Sequence, residues 1–177
     1  MTGRLAVFLR VGVAIALLSA GGCVTETKAV APERQHKPAR RPAQPPGIKP
    51  VQMMLSAGVA SDTDGNNFPD TIPVVVYLFG DTRRYALPIK ARGTFEFFLE
   101  GLDGTRLGHW VFPPEETRKA LGGSEAGANY RFMLRMDPRR ERIPSRPASL
   151  RAIFTVDASN ERVFSTGTAT IRVGEGN

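Results

Sequence analysis

Thr71-Ile-Pro-Val-Val-Val-Tyr-Leu-Phe79 decides the fold. The run is β-branched and aromatic, and its proline stands near the start, where a strand tolerates a missing N–H. It reads as a central strand, and its neighbours keep the same period of two. Val51, Met53, Leu55, Ala57 and Val59 alternate with smaller or polar residues before it. After it, Phe95, Phe97 and Leu99 alternate with Thr94, Glu96, Phe98 and Glu100. Leu150, Ala152, Phe154 and Val156 alternate with Ser149, Arg151, Ile153 and Thr155, and Ala169, Ile171 and Val173 with Thr168, Thr170 and Arg172. Segments 87–91, 107–112 and 130–136 complete a set of about eight strands. Turn signals fall between them at Gly80-Asp81, Asp103-Gly104, Gly122-Gly123, Asp137-Pro138 and Ser159-Asn160.

Many short strands with close turns and no helical crossovers predict an all-β chain, a single antiparallel β-sandwich of about 7–8 strands. Residues 51–177 are long enough for one such core. One short helix is expected over Pro113-Pro-Glu-Glu-Thr-Arg-Lys-Ala-Leu121, with prolines at its start, acids in the first turn, bases in the last and Gly122 to end it.

The chain has 177 residues, with 24 Lys+Arg against 17 Asp+Glu and a formal charge of +7. A charge of that size suggests a nucleic-acid partner until its distribution is read. Residues 1–23 carry Arg4 and Arg10. Residues 24–50 carry Lys28, Arg34, Lys37, Arg40, Arg41 and Lys49 against Glu26 and Glu33. Residues 51–177 hold 16 basic and 15 acidic side chains, so the part expected to fold is nearly neutral. The basicity belongs to the N-terminal segment, and no nucleic-acid partner is expected. One Cys excludes an internal disulfide and a Cys-cluster zinc site, and two His exclude most His-based metal and triad chemistry.

Arg4 and Arg10 precede the apolar run Val11-Gly-Val-Ala-Ile-Ala-Leu-Leu-Ser-Ala20, which is followed by Gly21-Gly22-Cys23. A positive start, a short apolar core and small residues before a cut site make a secretory signal over 1–22. The run is shorter than the ~20 residues a spanning helix needs. Ala20-Gly21-Gly22-Cys23 resembles the lipobox of bacterial lipoproteins, with Ala20 where Leu is commonest. The resemblance implies cleavage before Cys23, acylation of its sulfur and new amino terminus (palmitate among the chains), and anchorage in a membrane of the cell envelope. Val24 after the Cys implies outer-membrane sorting. Residues 23–50, rich in proline (Pro32, Pro38, Pro42, Pro45, Pro46, Pro50), are then expected to form an extended, disordered tether.

Gly127-Ala-Asn-Tyr130-Arg-Phe132-Met-Leu134 is similar to the tyrosine corner of immunoglobulin-like and fibronectin-type-III sandwiches. That likeness implies a structural Tyr130 whose hydroxyl bonds back to the turn before it.

Asp62-Thr-Asp64-Gly-Asn66-Asn-Phe68-Pro-Asp70 spaces oxygen groups at relative positions 1, 3, 5 and 9, with the carbonyl of Phe68 at 7. A hard cation such as Ca²⁺ is wrapped by a short loop in that way. The stretch resembles the Asp-rich calcium loops of EF-hand and integrin-repeat proteins. Pro73 stands where an EF-hand has its bidentate Glu, and Asn67 where such loops have Gly. The competing reading is a metal-free hairpin whose Asp and Asn side chains cap their own backbone.

The other polar residues fit structural roles. His109 and Trp110 fall on opposite faces of one strand, and no nucleophile is recognisable beside the histidine. His36 lies in the tether. Ser124 lacks the second glycine of a nucleophile elbow. Glu115 and Glu116 are helix-start charges. Asp137-Pro-Arg139-Arg140-Glu-Arg142-Ile-Pro-Ser-Arg146 is a basic loop without interleaved aromatics. The sequence therefore predicts a non-enzymatic envelope protein, held to a membrane by its lipid. It would present a sandwich to an envelope glycan or another envelope protein, with Ca²⁺ as a candidate brace. The alternatives are an envelope hydrolase and an accessory subunit of a secretion or surface complex.

Overall fold

The computed structural model describes residues 41–65, 68–136 and 144–174. The compact unit Pro42–Asn177 carries every element described. In chain order these are β1 (Gln52–Ala57), β2 (Thr71–Phe79), β3 (Gly93–Gly101), β4 (Arg106–Phe112), α1 (Pro114–Ala120), β5 (Leu121–Ser124), β6 (Gly127–Arg135), β7 (Arg146–Val156), β8 (Arg162–Phe164) and β9 (Ala169–Val173). One antiparallel sheet runs β1-β2-β6-β5. The other runs β4-β3-β7, with β8 and β9 sharing the far edge of β7. The two sheets pack together as an all-β sandwich, with one helix among the described residues.

Alternation explains the packing. In β2, Ile72, Val74, Val76 and Leu78 are buried while Pro73, Val75, Tyr77 and Phe79 are half-buried on the other side. Phe95, Phe97 and Leu99 of β3 face Tyr130, Phe132 and Leu134 of β6 across the core. The rings interlock: Phe95 has its centroid 4.6 Å from Phe154, 5.1 Å from Tyr130 and 5.2 Å from Phe132. Phe132 also meets Phe97 at 5.0 Å and Phe112 at 4.6 Å. Tilted and edge-on pairs of this kind add to the area they bury.

Segment 87–91 is not a strand, contrary to its apolar pattern. Its single ladder contact is the bridge from Ile89 to Leu78. Pro88 has no N–H to give, and side chains take the backbone groups of Lys90 and Ala91. Gln44 accepts from the Lys90 N–H at 2.8 Å and donates to the Lys90 carbonyl at 3.0 Å. The Tyr130 hydroxyl does the same for Ala91.

The helix also ends differently. Leu121, with φ −64° and ψ 123°, turns straight into extended backbone, so Gly122 and Gly123 lie inside β5 instead of closing α1 or forming a turn. Helix α1 thereby passes from β4 in one sheet to β5 in the other with no loop between.

Register places the two ends of the sandwich. Gln52 lies opposite Phe79, and Ala57 opposite Val74. Gly93 lies opposite Val156 and Gly101 opposite Ala148. The chain enters at the Gln52–Phe79 end. There Pro42 accepts from the Tyr85 hydroxyl, Gln44 holds Lys90, and Lys49 pairs with Glu161 at 3.0 Å. The Asp-rich segment before β2, the β3–β4 turn and the start of β4 lie at the opposite end.

Candidate functional site

A concavity runs along the edge of β4. Among the described residues this strand pairs only with β3, and a bulge interrupts the pairing: Leu99 faces Gly108 while Glu100 faces Arg106, leaving Leu107 extra. Bulges re-aim side chains and recur beside functional sites. Here Leu107 and Gly108 are both buried, whereas strict alternation would bury only one of them. A Cβ on Gly108 would run into the six-membered ring of Trp110, so the indole lies directly over the glycine. Across the opening, β5 pairs with β6 only as far as Tyr130. Beyond that point the edge of β6 has no strand neighbour among the described residues, and Trp110 Nε1 donates to the Arg135 carbonyl at 2.8 Å. This bond spans the two sheets and fixes the indole. The result is a groove of about 400 Å³, bordered by Arg106, Gly108, His109, Trp110, Arg135 and Met136.

His109 and Trp110 do lie on opposite faces of β4. Trp110 packs against the core, and His109 lies outside, stacked on Phe98 at 4.6 Å and 15°. His109 Nε2 is 3.5 Å from Glu96 Oε2. The Arg151 guanidinium sits 5.2 Å from the Phe98 ring centroid and bonds Glu100 at 2.8 Å. The two carboxylates on this face therefore meet His109 and Arg151, while among the described residues no carboxylate, hydroxyl or thiol side chain borders the groove.

The Asp-rich loop is organised by hydrogen bonds. Asp62 Oδ1 accepts from the N–H groups of Asp64 at 3.2 Å and Gly65 at 2.8 Å, an Asx turn. Gly65 has φ +77°, a conformation that favours glycine. Asp70, only 6% exposed, accepts from the Thr71 hydroxyl at 2.8 Å, and Thr63 Oγ1 lies 3.3 Å from the same oxygen. Phe68 is buried in the core cluster. Among the described residues no three His, Cys, Asp or Glu side chains gather to hold a metal. Of the candidate ligands, Asp62, Asp64, Phe68 and Asp70 are described, and Asn66 lies outside the described residues.

Tyr130 is 1% exposed. Its hydroxyl bonds Ala91, on the segment between β2 and β3, instead of the turn before β6, so its bond pattern differs from a tyrosine corner. Burial raises its phenol above the usual range, and the Ala91 hydrogen bond opposes this. Cys23 and the basic residues Arg139, Arg140 and Arg142 lie outside the described residues. The groove residues Arg106, Gly108 and Arg135 escaped the sequence reading. Their one signal was Leu107-Gly108, where an apolar pair breaks the period of two and announces a bulge. The chain matches no protein-family model and no curated protein in sequence.

Proposed function

We propose that this is a lipid-anchored cell-envelope protein whose sandwich serves as a binding or structural module. The observation carrying this reading is the arrangement of the chain. Its only Cys follows a secretory-type signal, and the sandwich begins at Pro42, the start of the compact unit. Several acyl chains, each buried methylene contributing ~0.8 kcal/mol, would hold such a protein firmly to a bilayer. A binding role is favoured over hydrolysis because His109 is engaged by Glu96 and Phe98, and among the described residues no hydroxyl or thiol side chain borders the groove. Replacing Cys23 by Ala and fractionating the cells tests the anchor. The variant is expected in the soluble fraction, and continued retention in membranes would overturn the reading.

The Asp-rich loop is read as a metal-free turn, supported by the bonds of Asp62 to its own backbone and of Asp70 to Thr71. Millimolar Ca²⁺ and EDTA should then give the same melting temperature. A rise with Ca²⁺ would restore the cation site.

A further inference from the structure

We propose that the outer face of the sheet β1-β2-β6-β5 docks on an anionic phospholipid surface. The proposal rests on the reading of the chain as lipid-anchored and adds the face that meets the bilayer.

The face is apolar along its middle, where a sheet turned to water carries polar side chains. Pro73, Val75, Tyr77 and Phe79 form a line down the outside of β2, a span of about 20 Å. Met54 lies beside Tyr77 in the ladder and Met133 beside Pro73. These two methionines are 53% and 60% exposed. Gln52 and Ser56 are the only polar side chains that β1 adds on this side, and Gly122 adds none from β5. Tyr77 turns its hydroxyl toward Ser124 Oγ, 3.5 Å away. It thus presents an apolar ring with a polar tip, a form enriched at membrane interfaces. Contiguous exposed apolar surface marks a place where a protein meets a partner or a membrane.

The charge on the face has one sign. The four strands contain no Asp or Glu, and their two basic side chains, Arg131 and Arg135, are both exposed on this side. Arg131 lies beside Val75 and Arg135 beside Thr71. The outer face of the other sheet is built differently. There Glu96 and Glu100 flank Phe98 on β3 and meet His109 and Arg151. The described acids next to the strands of the first sheet lie in its connections. Asp70 is buried on Thr71, Asp81 accepts from the Arg83 N–H, and Glu125 is in the β5–β6 turn.

This distribution selects the occupant. Pairing the face with a second copy of itself would set guanidinium groups against strands that carry no carboxylate. An anionic bilayer supplies phosphate to the two arginines and apolar depth to the methionines and aromatics. An anchored domain is also held at high effective concentration over that surface, so a modest affinity suffices.

Trp110 is the only tryptophan of the chain and packs against the core, so an added tryptophan can report on an outer face. Met54→Trp and Met133→Trp probe the proposed face. Val111→Trp, at a 51% exposed position opposite Glu96, probes the outer face of the other sheet. Each full chain is placed in vesicles of phosphatidylcholine, brominated near the headgroup end of its acyl chains, with or without about a quarter of phosphatidylglycerol. In the anionic vesicles the emission of Met54→Trp and Met133→Trp should be quenched above the Trp110 background, and that of Val111→Trp should not. Adding Arg131→Gln or Arg135→Gln to Met54→Trp should lower the ratio of docked to undocked protein about fivefold each. The urea midpoint in detergent micelles should stay unchanged. Absence of quenching at both methionine positions overturns the proposal and leaves the face to a protein partner. Equal quenching at Val111→Trp, or equal quenching in neutral vesicles, overturns it too. Flotation with the neutral vesicles reports the anchor by itself, so failure of the anchor and failure of the face are told apart.

Discussion

Phe95→Ala is expected to cost about 3–5 kcal/mol, the largest loss from any single truncation in this core. Phe95 is fully buried on an inner strand of its sheet and touches four rings, Phe97, Tyr130, Phe132 and Phe154. Two of these, Tyr130 and Phe132, belong to the facing sheet, so the ring spans the sandwich. Removing it takes away the buried area and leaves a cavity. The surrounding aromatics cannot collapse into that cavity, because Tyr130 is tied through its hydroxyl to Ala91. A domain of this size has only about 5–15 kcal/mol in hand. Urea denaturation should show the midpoint falling steeply at constant slope, and the melting temperature should drop by roughly 10–20 °C. A loss below about 1.5 kcal/mol would mean that the core repacks, and the account of a rigid aromatic cluster would fail.

Tyr130→Phe should cost about 2 kcal/mol although it deletes one atom. The hydroxyl donates to the Ala91 carbonyl and accepts from the Ala91 N–H, both at 2.8 Å. It stands in for the strand neighbour that segment 87–91 lacks. Without it a part-buried donor and acceptor are both left unpaired. The effect carries a pH signature. Burial raises the Tyr130 phenol above the ordinary value of 10.0, with the Ala91 N–H pulling the other way. For a raised acid the folded state holds its proton longer than the unfolded chain. The stabilisation is therefore complete below pH 10 and is lost as pH climbs through the folded value. The gap in stability between the wild type and Tyr130→Phe should thus be constant up to about pH 10 and narrow above it. A gap that stays constant well above that point would contradict the assignment.

The sandwich was legible because period-two burial needs nothing beyond local pattern. Phe95-Glu96-Phe97-Phe98-Leu99 declares its inner face whatever it packs against, and the β2 run does likewise. Misreadings arose where distant residues supplied what the local sequence lacked. Segment 87–91 is apolar, yet its backbone is completed by Gln44 and Tyr130, each about forty residues away. Leu121-Gly-Gly-Ser124 has turn composition, but pairing with residues 127–130 makes it a strand. Gln44 and Ile48 sit among prolines that read as tether, and their partners on Lys90 and Gly80 were invisible to that reading. The groove depends on where one sheet edge stops relative to another, which no single segment encodes. Its floor, Gly108, betrayed itself only by breaking the alternation.

The run of β1 has a mechanical consequence. The strand leaves the clasp at residues 42–50 and travels to the other end of the sandwich, registered against β2 from Gln52↔Phe79 to Ala57↔Val74. A load applied between the chain's entry and the start of β4 acts parallel to the strands. The ladder between β1 and β2 then bears it in shear, with its hydrogen bonds strained together instead of opening one after another. Ahead of the ladder, Gln44 on Lys90 and Lys49 on Glu161 take the first strain. A module strung in this direction resists traction far better than one whose leash peels an edge strand sideways.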